Sequence, residues 1–186
     1  MPFTFHPTVI ADVVMVESRQ FPDERGFFRE GFKQSEFAAA GLALTFVQDN
    51  VSRSRQGVLR GLHFQTGAKA QGKLVSVARG EVFDVAVDIR TGSPTYGRWV
   101  GETLSDSNGR MLWIPAGFAH GFCVLSEFAD LTYKCTDEFS AAHDGGVRWD
   151  DPAIGVQWPV SDPVLSAKDL ELPLLAECVH GFTYTS

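Results

Sequence analysis

The run Gly57-Val58-Leu59-Arg60-Gly61-Leu62-His63-Phe64-Gln65 sets a guanidinium and an imidazole close together in a stretch whose other side chains are mostly apolar or absent. Imidazole is the side chain that gains and loses a proton near neutrality without help, so His63 is a candidate general base. Taking a proton from carbon needs more than a base. A carboxylate must orient the imidazole, a cation must meet the oxyanion that forms, and a second acid is needed if the proton is to return on another face. Candidates exist for each role: Asp84, Asp88 or Asp169 as the carboxylate, Lys73 or Arg60 as the cation, and Tyr133 as the acid. The competing reading of His63 is a hydrogen-bonded core histidine. Residue types alone do not bring these groups together. The alternation around His63 has the period of a strand, which sends Arg60 and His63 to opposite faces unless Gly61 carries a bulge.

The elements that must position these groups are mostly strands. Val9 to Val16 reads as an early strand at a sheet edge or against another subunit. Phe21 to Glu30 mixes turn formers, aromatics and charges of both signs, and reads on composition as a turn with solvated charges. One short helix is expected, with Ser35 as its N-cap, Glu36 to Ala40 as its body and Gly41 as its stop. Leu44 to Asn50 leads into a Ser/Arg loop over 52–56. Strands then follow at Leu59 to Gln65, Lys73 to Ala78, Glu81 to Ile89, Arg98 to Leu104, Met111 to Ile114, His120 to Leu125 and Ala129 to Cys135. In the third of these, Phe83, Val85, Val87 and Ile89 share one face. Val82, Asp84, Ala86 and Asp88 share the other, which is either wet or the lining of a polar cavity. After Asp144-Gly145-Gly146 the chain becomes Pro- and Asp-rich, a loop-rich wrap ending in one or two short helices from Ser166. Many short strands with turn residues between them and hardly any helix mean a sandwich or barrel.

Composition narrows the setting. With 186 residues, 44% of them hydrophobic, the chain suits one domain over 1–186 with a single well-buried core. A net charge of -7 argues against a nucleic-acid or anionic-membrane surface, though not against a local basic pocket for a phosphorylated ligand. Cys123, Cys135 and Cys178 are widely spaced and unpaired in pattern, which suits free thiols in a reducing cytosol. No signal-like start and no long apolar run is found, so a soluble, unprocessed cytoplasmic protein is expected.

Two spaced patterns resemble those of the cupin class, whose metal sites use paired histidines and a carboxylate. Gly57, His63 and Gln65 match the first in spacing, and Gly109, Pro115, Gly117 and His120 match the second. Gln65 stands where a second histidine belongs, and the expected glutamate position falls at Lys69 or Ala70. Two histidines without a carboxylate or thiolate at the right offset make a poor divalent-metal site. The fold expected is therefore all-β, a cupin-type double-sheet β-barrel or jelly roll with a few short helices and no metal.

A stronger likeness lies in whole motifs. Asp23-Glu24-Arg25-Gly26-Phe27-Phe28 with Glu30, Phe46-Val47-Gln48-Asp49-Asn50, Gly57 to Gln65, Gly72-Lys73-Leu74-Val75 and Gly80 to Arg90 come first. Ser93-Pro94-Thr95, Trp113 to Phe122, Tyr133-Lys134, Trp149 with Asp151, and Leu165-Ser166-Ala167-Lys168-Asp169 follow. In this order and spacing, over nearly the whole chain, they resemble the dTDP-4-dehydrorhamnose 3,5-epimerase family. The resemblance implies a metal-free, cofactor-independent homodimer. Its substrate would be dTDP-4-dehydro-6-deoxy-D-glucose, epimerised beside the 4-keto group by proton abstraction and return on the opposite face. It implies His63 as base, Asp169 as its carboxylate, Tyr133 as acid and Lys73 as the cation at the enolate oxygen. Arg25, Arg60 and Lys168 match positions around the diphosphate and sugar, and Asp144 a nucleotide contact. Gln48 and Asn50 match polar contacts, and Glu30 belongs to the same set. Phe28 offers an aromatic face to the base and His120 lines the pocket, unless it is a buried structural histidine. Asp84 is read as pocket wall or support.

Two positions depart from the family pattern. Phe139 stands where many members carry tyrosine, and Asp144 where they carry glutamate. Phe139 cannot exchange a proton, and Asp144 is one methylene shorter. The alternatives are thus an epimerase acting at C3 or C5 only, or a nucleotide-sugar-binding cupin without catalysis. The retained set of base, carboxylate, cation and acid argues against the last, since binding alone needs none of it.

Overall fold

The computed structural model describes residues 2–185. Its strands are β1 (Phe3–Pro7), β2 (Val14–Ser18), β3 (Phe21–Asp23), β4 (Gly26–Phe28), β5 (Gln48–Arg55), β6 (Leu59–Gln65), β7 (Lys73–Arg79), β8 (Glu81–Asp88), β9 (Trp99–Ser105), β10 (Arg110–Ile114), β11 (Phe118–Val124), β12 (Phe128–Cys135) and β13 (Asp144–Gly146). Two short α-helices, α1 (Gln34–Ala39) and α2 (Ala167–Leu170), complete the regular structure apart from two single 3₁₀ turns. A six-stranded sheet in the order β1-β2-β10-β7-β12-β5 packs against a five-stranded sheet in the order β13-β6-β11-β8-β9, and β3 and β4 form a separate hairpin. The strand-rich pattern and the two-sheet architecture expected of it agree.

The side-chain alternation explains the layers. On β8, Val82 and Ala86 face inward with Val75, Val77, Leu112, Leu131 and Phe122, forming the core between the sheets. Val85, Val87 and Ile89 face the other way with Leu62, Phe64 and Ala119, and are covered by Val147, Ile154 and Leu175 of the C-terminal wrap. Each such side chain contributes about 1.5–3 kcal/mol on burial, so the wrap is part of the fold's core. A third cluster places Phe37 of α1 on the outer face of the six-stranded sheet with Phe3, Val16, Leu74 and Trp113.

Several local expectations change. The strand expected over Val9 to Val16 forms only at its end: β1 stops at Pro7 and β2 starts at Val14, because Thr8 bonds through Oγ1 to the carbonyls of Ile10 and Val13 and closes a tight turn between them. The segment read as a Ser/Arg loop is the second half of β5, an edge strand whose Ser52 and Ser54 face inward while Arg53 and Arg55 face solvent. Charged alternation suits such an edge. The Phe21 to Glu30 turn is the β3-β4 hairpin. Lys33, not Ser35, is the N-cap of α1, without a side-chain capping bond, and burial of Phe37 holds the helix instead. Asp88 neither lines a polar cavity nor faces water. Arg90, Ser93 and Thr95 enclose its carboxylate at 2.6–2.9 Å, and Arg90 stacks on Phe118 and Tyr184.

Candidate active site

The bulge anticipated at Gly61 is present. In the β6-β11 pairing His63 lies opposite His120 and Arg60 opposite Phe122, so Gly61 and Leu62 together face Gly121. The extra residue turns Arg60 and His63 onto one face. Glycine is required at this point: φ is +139° at Gly61, and a Cβ there would sit 2.5 Å from the Gly121 Cα.

The result is a cavity of about 300 Å³ between the sheets, bordered by His63, Lys73, Tyr133, Asp169, Arg60 and His120, with Lys168 at its side. A second cavity of about 350 Å³ shares His63, Lys73, Tyr133 and Lys168 and adds Gln48, Asn50, Asp144 and Phe139. The histidines stand on the five-stranded sheet, whereas Lys73 and Tyr133 stand on β7 and β12 of the six-stranded sheet. The imidazole and the phenol therefore occupy opposing walls of the space between the sheets. The Lys73 ammonium lies 6.0 Å from the centre of the Tyr133 ring.

Asp169 comes to His63 through the wrap. Val164 bonds to the backbone of Gly57 and Leu59 beside β6, and α2 starts two residues later with Ser166 as its N-cap. Ser166 Oγ accepts from the Asp169 N–H at 3.1 Å and donates to Asp169 Oδ2 at 2.7 Å. The other oxygen, Oδ1, lies 2.6 Å from His63 Nε2. Burial alone would raise the Asp169 pKa, but the bonds from His63 and Ser166 outweigh it and hold the carboxyl below its ordinary value. As an anion Asp169 can only accept, so Nε2 carries the proton and Nδ1 is left bare for a ligand.

A second pair lies beside it. His120 Nε2 is 2.9 Å from Asp84 Oδ2, and Asp84 is fully buried. Burial lowers the His120 pKa against the opposing attraction of Asp84. Burial also pushes the Lys73 ammonium down from its ordinary value and the Tyr133 phenol up. Thus Asp84 supports the cavity from behind, as the polar-cavity reading of β8 allowed.

The other residues separate into two groups. Arg60 donates from Nε to Ser54 at 3.0 Å, Gln48 donates to Asn50 Oδ1 at 3.0 Å, and Lys168 pairs with Asp144 at the cavity rim. Arg25, Phe28 and Glu30 lie outside both cavities. Arg25 is bonded to Asp23 at the hairpin tip, and Phe28 and Glu30 border a shallow pocket with Arg19, Phe21 and Lys33. Gln65 donates to the carbonyls of Lys69 and Glu138 and accepts from the Ser140 N–H, so its amide tethers a loop. Among the described residues no three His, Cys, Asp or Glu side chains converge as a metal-ligand set. Residue reading overlooked Ser166, Ser52 and Ser54. Ser166 had a signal, the Ser-x-x-Asp spacing of a helix start, while the inward serines of β5 were hidden in a segment read as loop.

Comparison with known proteins extends over the same residues. A family model described as dTDP-4-dehydrorhamnose 3,5-epimerase matches residues 7–177. A Salmonella typhimurium protein named dTDP-4-dehydrorhamnose 3,5-epimerase is 56% identical over 174 residues, 92% of this chain and 95% of that one. The crystal structure of a Legionella pneumophila dTDP-6-deoxy-D-glucose-3,5-epimerase, in complex with dTDP-4-keto-L-rhamnose, superposes with a TM-score of 0.95 at 47% identity, covering 99% of this chain and 100% of that one. A Streptomyces niveus protein named dTDP-4-dehydrorhamnose 3-epimerase is 41% identical over 172 residues, 92% of this chain and 83% of that one.

Proposed function

Because the chain belongs to the dTDP-4-dehydrorhamnose 3,5-epimerase family, we propose that it converts dTDP-4-dehydro-6-deoxy-D-glucose to dTDP-4-dehydro-L-rhamnose. The observation that carries this reading is the His63-Asp169 pair facing Lys73 and Tyr133 across one cavity. His63 Nδ1 takes the proton from a carbon next to the 4-keto group. The electron pair of the C–H bond moves into the enolate, whose oxygen meets the Lys73 ammonium, and the imidazolium is stabilised by Asp169. Tyr133, on the opposing sheet, returns a proton to the other face of the carbon and recovers one from solvent, while the His63 imidazolium releases its proton to solvent. Inversion then follows from the two-walled geometry. No resident cofactor is needed for a proton moved off and onto carbon.

Arg60 and Lys168 hold the diphosphate by charge-assisted hydrogen bonds, and Gln48, Asn50, His120 and Asp144 hold sugar and nucleotide polar groups. Arg25, Phe28 and Glu30 are too far along their own chain's surface to join this cavity. A homodimer in which they reach the partner's cavity gives them the role, and the 66% exposed Phe28 ring is available for it. The enzyme so described is a single cytoplasmic domain over 1–186 that binds neither nucleic acid nor membrane, in keeping with its net charge of -7. Among the described residues no helix is long and apolar enough to cross a membrane.

Incubation with dTDP-4-dehydro-6-deoxy-D-glucose in deuterated water tests the reading. Deuterium at both C3 and C5 is expected. Label at one carbon only would instead establish the single-centre epimerase, the reading favoured by the 3-epimerase relative and by Phe139 at the cavity. Binding without label would leave a nucleotide-sugar-binding protein.

A further inference from the structure

Asp84 touches neither cavity, yet it is the fully buried carboxylate behind both. Its Oδ2 meets His120 Nε2 at 2.9 Å, while Oδ1 is buried with no hydrogen-bond partner among the described residues. Lys73 presents the reverse situation. Its ammonium faces the cavity and forms no ion pair within 4 Å among the described residues. A buried carboxylate oxygen without a donor is costly, as is a desolvated ammonium without a counter-charge. Asp84 and Lys73 stand on facing sheets, on β8 and β7, and the attraction between them lessens the cost of each.

We propose that Asp84 is a positioning residue, which fixes His120 in the tautomer with a bare Nδ1 and acts as the buried counter-charge of Lys73. This deepens the epimerase reading and rests on it for its catalytic consequence. As an anion Asp84 only accepts, so the His120 proton sits on Nε2. Nδ1, which has no hydrogen bond within the described chain, can then accept from a substrate hydroxyl but cannot donate to a carbonyl or enolate oxygen. That leaves Lys73 as the donor to the enolate, and its charge must survive burial. The groups around it are Asp84 on β8, Cys135 and Tyr133 on β12, His63 on β6, His120 on β11, Asp144 on β13, and Lys168 and Asp169 on α2. Of the anions among them, Asp144 is already paired with Lys168 and Asp169 is bonded to His63 and Ser166, whereas buried Asp84 has one oxygen without a partner among the described residues. The attraction of Asp84 works against the loss of the Lys73 proton that burial promotes.

Two measurements decide the proposal. Long-range ¹H–¹⁵N spectra of the full-length wild-type protein without substrate, with His120 assigned by its loss in His120→Asn, should show the proton on Nε2. A proton on Nδ1 overturns the proposal. The pH profile of deuterium exchange in Asp84→Asn should have its alkaline limb moved to lower pH by roughly 0.5–1 unit, because the variant keeps the shape but loses the charge. A limb that stays in place, with kcat lowered equally at every pH or only the melting temperature reduced, marks a merely structural residue and overturns it. Should the variant fail to fold, the wild-type spectrum still decides. Wild-type protein that exchanges no sugar hydrogen refutes the epimerase reading and leaves the tautomer result standing.

Discussion

The histidines of the His63-Asp169 and His120-Asp84 pairs are neighbours on one sheet, where His63 pairs directly with His120, and each carboxylate meets an Nε2. Their surroundings differ. The His63 side chain is 29% exposed and its carboxylate accepts from the Ser166 hydroxyl, which is itself fixed by the Asp169 N–H at the helix start. The His120 side chain is 7% exposed, and one oxygen of its carboxylate has no partner among the described residues. A base must both reach its substrate and gain a charge, so it needs access together with a well-held anion behind it. Only the first pair meets both conditions. The second suits a neutral imidazole that accepts a hydrogen bond. On the function proposed, the same two residue types serve proton transfer in one place and orientation in the other, and burial makes the distinction.

Breaking the first pair should have the largest effect. His63→Ala should lower deuterium exchange by about 10²–10⁴-fold with nucleotide binding kept, as calorimetry with dTDP would show; turnover near the wild-type rate would shift the base to His120. Lys73→Met should come next, with a kcat loss of about 10²–10³-fold at little cost in KM. The Lys73 pKa lies below its ordinary value through burial, so its ammonium is lost as pH rises earlier than for a free lysine. Activity should fall along an alkaline limb that begins below the usual lysine range. Lys73→Arg, which stays charged, should lack that limb in whatever rate it retains. Tyr133→Phe sharpens the contrast between the opposing walls: exchange at carbon should continue while the yield of inverted sugar drops, and an unchanged yield by NMR would remove Tyr133 as the acid. His120→Asn should have the smallest effect, roughly fivefold to tenfold in KM, the loss of one hydrogen bond. A loss as large as that of His63→Ala would show that the two pairs share the proton work.

Much of the architecture was legible before folding was considered. The alternation of Phe83, Val85, Val87 and Ile89 with Val82 and Ala86 marks a strand buried on both faces, and the helix-poor pattern marks two packed sheets. β5 was harder, because Ser52-Arg53-Ser54-Arg55 lacks the apolar period that an interior strand shows. Its edge position makes the arginines acceptable on the outside and leaves the serines inside. β13 was missed for a related reason: Gly145 and Gly146 carry no side chains to display a period. In the site, the roles of Asp84 and Asp88 were symmetric in sequence. One lies behind the cavity and the other is enclosed by Arg90, Ser93 and Thr95.

Residue identity and order suffice for the family and for naming candidate reacting groups, because these depend on what the side chains are. The meeting of His63 with Asp169 depends on where the chain goes. Those residues stand far apart in sequence, and it is the pairing of Val164 with β6 and the Ser166 cap that join them. The common facing of Arg60 and His63 likewise comes from one extra residue opposite Gly121. Strand period alone sends them apart, and a bulge is a property of the paired strands, settled when the second strand comes alongside.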